Sequence, residues 1–189
     1  MSLENSSSPK LKEFFVSMTR QSFDQLGVGD RQIVDYIASI LTDFSHADRW
    51  RLLRDAEGRC LTSAVEMLIA QLGPQNSNRI LGERALRKHI GDYTLFMSGL
   101  FRNFVERGGY LRYYLEEGKR AYQAVSELDV SLYRPGFLMF EELSKGFENY
   151  AGALDYMRKC YFAPSPGEHP FAGFLKQLEH WMRPGPSDN

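Results

Sequence analysis

RILGERALRKHIGDYTLFMSGLFRNFVER, residues Arg79 to Arg107, is the stretch whose reading decides the fold. Leu86, Ile90, Tyr93, Met97, Leu100, Phe101 and Phe104 recur at spacings of three and four, the period of one helix face. Leu95 and Phe96 add apolar groups off that stripe, so the second half is apolar on more than one side. A helix of that kind is buried rather than laid on a surface. Its length agrees. Unbroken, it would span about 42 Å, against a diameter of about 40 Å for a compact domain of this size. The segment must cross the whole molecule or kink, and Gly91 is the place to kink it. Asp92 follows, a poor residue for mid-helix set between apolar neighbours.

Downstream, Gly108-Gly109 reads as a turn. Tyr110 to Leu128 then reads as a helix with Leu111, Tyr114, Leu115, Gly118, Ala121, Tyr122, Val125 and Leu128 on one face. A glycine in that stripe costs about 1 kcal/mol of helix propensity against alanine, so Gly118 is expected to pack directly against another helix. Arg134-Pro135-Gly136 is a clear turn. Phe140, Leu143, Phe147, Tyr150, Leu154, Met157 and Tyr161 repeat at helical spacing as one continuous pattern. After a proline-rich loop from Pro164 to Pro170, Phe171, Phe174, Leu175, Leu178, Trp181 and Met182 form a last short helix.

Upstream, Ser8-Pro9 starts a helix as N-cap and first helical residue, carrying Leu11, Phe14, Phe15 and Met18 and ending near Gly27-Val28-Gly29. Asp30 caps the next, with Ile33, Ile37, Ile40, Leu41 and Phe44 on one face. Trp50, Leu52 and Leu53 suggest a helical turn. A helix from Thr62 to Leu72 stops at Gly73-Pro74, and Ser77 or Asn78 caps the central stretch. No strand alternation and no tandem repeat emerge. The fold is read as all-α, a single-domain bundle of about seven helices around a long buried central helix. Residues 1–8 are read as a disordered N-terminal segment, 9–183 as the domain, and 184–189 as a flexible tail.

With 189 residues the chain can bury a core without staples, and 13 Phe and 10 Tyr make that core rich in rings. A net charge of −1 gives no global case for nucleic acid or membrane binding. The basic groups Arg79, Arg84, Arg87, Lys88 and Arg49, Arg51, Arg54 have acids nearby and read as solvated faces or ion pairs. No run is apolar enough for a membrane span and no signal segment is visible, so a cytoplasmic protein is expected. Cys60 and Cys160 are a hundred residues apart. They could form one long-range disulfide, but two buried free thiols is the reading preferred.

Catalytic motifs are missing. None of the four histidines has a glutamate three residues before it, and no zinc spacing occurs. His89 could be a haem ligand but reads as a helix-surface histidine beside Arg87 and Lys88. Ser98-Gly99 lacks the nucleophile elbow. Gly-Val-Gly-Asp at 27–30 lacks the lysine and glycine pattern of a phosphate loop. Asp92 is what is left. If buried, its charge needs a partner. Either an Asp–Arg or Asp–Tyr pair locks two helices there, or the carboxylate lines a pocket with Tyr93, Tyr114 and Tyr122.

Leu86, Gly91-Asp92, Leu95-Phe96, Ser98-Gly99 and Phe101, followed by Tyr113-Tyr114, Gly118 and Ala121-Tyr122, resemble a family of uncharacterised bacterial helical proteins. Its members carry L-G-D-x-x-L-F-x-S-G-x-F and then Y-Y-x-x-x-G-x-x-A-Y. Tyr36 to Phe44, Arg59 and Glu66-Met67-Leu68 add to the likeness, which covers much of positions 30 to 125. His89 departs from the apolar residue expected there. The resemblance implies a bacterial source and a helical fold, and no chemistry.

The function expected is a non-catalytic helical module that binds a partner protein or forms a homodimer, without cofactor or metal. The alternative is a small-molecule or cofactor pocket around Asp92, Tyr93, Tyr114 and Tyr122, with an enzymatic role left open.

Overall fold

The computed structural model describes residues 7–45, 79–162, 167 and 170–182. These form eight α-helices, with no strand among the described residues. In chain order they are α1 (Ser7–Gln25), α2 (Arg31–Phe44), α3 (Arg79–Leu100), α4 (Arg102–Arg107), α5 (Leu111–Ser131), α6 (Phe137–Lys145), α7 (Phe147–Tyr161) and α8 (Pro170–Met182). The expected turn at Trp50, the helix from Thr62 to Leu72 and the cap at Ser77 or Asn78 lie outside the described residues.

α3 is the central helix: it packs against α2, α4, α5 and α7. Every residue from Ile90 to Phe101 is buried, while the first half is largely half-exposed. That division follows the sequence, where apolar groups leave the single stripe only from Leu95 onward. α3 runs unbroken through Gly91 for 22 residues, about 33 Å. The interruption comes at Phe101, whose backbone sits at φ −113, ψ 27. Its ring then lies 5.5 Å from Phe96 and 5.6 Å from Phe174 of α8. The expected helix over 140–161 is likewise two helices, divided at Gly146.

The glycines explain how the helices approach so closely. A Cβ at Gly91 would lie 2.6 Å from the Tyr122 ring of α5, and one at Gly99 would lie 2.5 Å from Leu154 of α7. At Gly118 a Cβ would overlap the Phe147 ring of α7 and lie 2.6 Å from Thr94 of α3. Gly118 therefore packs against neighbouring helices as its place in the stripe predicts. Gly91 serves the Tyr122 contact rather than a break, because the helical hydrogen-bond ladder needs no side chain at that position.

Asp30 caps α2 as expected, its carboxylate accepting from the Gln32 and Ile33 amides at 2.8 and 3.2 Å. Cys160 corrects half of one expectation: it is free but exposed, not buried, and Cys60 lies outside the described residues. It falls on the outer side of the last turn of α7, away from the Leu154 and Met157 stripe. No described helix is long and apolar enough to cross a membrane.

Candidate functional site at Asp92

Asp92 is 7% exposed, and three side chains donate to its carboxylate. Tyr36 Oη of α2 lies 2.5 Å from Oδ1, and Tyr122 Oη of α5 lies 3.0 Å from the same oxygen. Lys88 Nζ, one turn earlier on α3, lies 2.7 Å from Oδ2. The helical period places Lys88 and Asp92 on one face. The absence of a side chain at Gly91 lets the Tyr122 ring lie against α3 and bring its hydroxyl to the carboxylate. Tyr36 comes from a helix 56 residues earlier in the chain.

Phe140 of α6 fits beside the two phenols, its ring 5.7 Å from Tyr36 and 5.9 Å from Tyr122. The Arg84 guanidinium lies over the Phe140 ring, 5.5 Å from its centroid. Arg84 in turn grips the fully buried Asp129 of α5 with two nitrogens, the Nη2–Oδ2 bond being 2.8 Å. Residues 84, 88 and 92 thus form a polar ladder along α3.

Burial, with the Asp92 carboxylate alongside, pushes the Tyr36 phenol far above its ordinary range. Burial does the same to Tyr122, with Asp92 and then Tyr36 adding to it. Both therefore stay protonated donors in the folded chain. The Asp129 hydrogen bond raises the Arg84 guanidinium above its usual value against the opposing effect of burial.

Of the four residues expected at a pocket, the structure brings Tyr122 to Asp92. Tyr93 and Tyr114 are buried as rings, 6.2 Å apart, with Tyr93 also 6.0 Å from Phe44. Tyr36 and Asp129 were not anticipated, and Arg84 and Lys88, read as solvated or ion-paired with nearby acids, were not assigned to Asp129 and Asp92. Two had visible signals: Lys88 at the i, i+4 spacing before Asp92, and Asp129 in register with the buried stripe of Gly118, Tyr122 and Val125. Of the two partner types expected for Asp92, arginine or tyrosine, the structure has tyrosine, and Arg84 serves Asp129. His89 packs on Phe44, with ring centroids 5.7 Å apart. No group of three metal-ligating side chains occurs among the described residues.

Chemically the arrangement is a carboxylate whose two oxygens are both engaged by donors of its own chain. A ligand would have to displace one of them. Lys88, with a side chain 37% exposed, is the donor that water can most readily satisfy. The chain matches no family model, no curated protein and no solved structure.

Proposed function

We propose that this chain is a cytoplasmic, non-catalytic helical module that binds a partner protein or a second copy of itself. The observation that carries the reading is the engagement of Asp92 by Tyr36, Tyr122 and Lys88. The residue with the strongest sequence claim to chemistry is occupied in joining α2, α3 and α5. Outside the core, Tyr110 and Tyr113 at the start of α5, Val130 near its end and Leu138 at the start of α6 are exposed and available for contact with a partner. The exposed free thiol of Cys160 suits a reducing compartment.

We also place the chain with the bacterial helical family whose segment it resembles. Support comes from what that segment does here: Gly91, Gly99 and Gly118 are all points of side-chain contact between helices. On this reading the motif encodes packing rather than a reaction.

Light scattering of the purified protein, with pull-down from its native host, tests the proposal. A dimer or a recovered partner is expected; a strict monomer that recovers nothing would count against it. The second reading, a small-molecule or cofactor pocket around Asp92, Tyr93, Tyr114 and Tyr122, draws on one feature. Tyr36 and Lys88 are only half-buried, so the polar cluster reaches solvent on that side. A coloured protein, or a native mass above that of the chain, would favour it.

A further inference from the structure

Three helices end in the same hydrogen-bonded turn. After α1, the Val28 amide donates to the Phe23 carbonyl and the Gly27 amide to Asp24. After α4, Tyr110 donates to Val105 and Gly109 to Glu106. After α5, Arg134 donates to Asp129 at 2.8 Å and Tyr133 to Val130 at 3.1 Å. This is the paired capping pattern that places one residue in the left-handed region, where glycine is favoured. The first two turns have glycine there, Gly27 at φ 72 and Gly109 at φ 76. The third has Tyr133 at φ 53, the sole non-glycine at positive φ among the described residues.

A tyrosine in that conformation is strained by its Cβ, and contact with the fold does not repay the strain, because Tyr133 is 97% exposed. Val130 and Leu138, on either side of the turn, are 55% and 61% exposed. Arg134 is exposed beside them. Tyrosine and arginine are the residue types that most often carry binding energy at interfaces. The tip also rests on a firm base, since Asp129 below it is held by Arg84 of α3.

We infer that the α5–α6 turn, with Tyr133 as anchor and Val130, Arg134 and Leu138 around it, docks into a different protein that presents an apolar pocket edged by carboxylate. The inference rests on the protein-binding reading and names its surface. A second copy of this chain fits poorly. A symmetric contact centred on the tip would oppose a protruding ring to its own copy and Arg134 to Arg134.

The test places the photo-crosslinking residue p-benzoylphenylalanine at position 133, and in a parallel protein at position 113 on the exposed face of α5, in the native host. The protein captured from position 133 is then purified and titrated against wild type, Tyr133→Gly and Arg134→Glu. The expected result is one discrete adduct with another protein, its crosslinked site flanked by Asp or Glu. Binding should weaken at least tenfold in both variants. Tyr133→Gly should meanwhile unfold at a temperature about 2–4 °C higher, so its lost binding cannot be misfolding. Adducts only with a second copy, or equal binding by all three proteins, would overturn the inference. A partner captured from position 113 and not from 133 would overturn it and leave the protein-binding reading standing. No adduct from either position, with a monomer in solution, would overturn both.

Discussion

Burying the Asp92 carboxylate costs several kcal/mol unless hydrogen bonds replace its water, and here three donors do so. They are not equal. Tyr122 is fully buried, so deleting its hydroxyl leaves the carboxylate short of a donor where water cannot enter, whereas water can take the place of the part-exposed Lys88. Tyr122→Phe should therefore lose about 1–2 kcal/mol of unfolding free energy, while Lys88→Met should lose less than about 1 kcal/mol; equal losses in urea titrations would contradict that ranking. The phenols also set a pH dependence. Tyr36 and Tyr122 are held above the ordinary value of 10.0, chiefly by burial. The unfolded chain ionises them near pH 10 and the folded chain does not. Their contribution is complete below pH 10 and falls above it, by up to about 1.4 kcal/mol per pH unit for each phenol. Unfolding measured between pH 8 and 11 should show a shallower alkaline decline in Tyr122→Phe than in wild type, and parallel curves would count against the account.

At the scale of the elements, glycines decide where helices meet. Gly118→Leu should destabilise by about 1–3 kcal/mol through overpacking against Phe147 and Thr94. Gly152, inside α7 with open space where a Cβ would go, provides the opposite case. Gly152→Ala should stabilise by about 0.5–1 kcal/mol, and thermal unfolding of the two variants would check both signs. Periodicity made most of these helices legible, and Gly118 was readable because it interrupts an apolar stripe. The breaks at Phe101 and Gly146 were not, because the stripe continues through both. What interrupts α3 at Phe101 is a tertiary arrangement, the ring seated between Phe96 and Phe174. Tyr36 escaped notice for a similar reason: its helix was read by its isoleucines, and nothing local points it at a carboxylate 56 residues away.

Across the whole molecule, the polar ladder joins what the apolar core alone would leave free to slide. Arg84 and Asp129 tie α3 to the end of α5, and Asp92 ties α3 to α2 and α5. Arg84→Met would leave Asp129 buried without its partner and should cost about 3–5 kcal/mol, with much of the loss recovered when Asp129→Leu is added. Asp92 acts as a lock between helices. A lock and a ligand site respond oppositely to removal: a carboxylate kept for function tends to be neutral or stabilising to lose, and one that joins helices is not. The urea unfolding free energy of Asp92→Ala against wild type measures this directly. A fall of about 2–3 kcal/mol is expected; an unchanged or increased stability would contradict a lock.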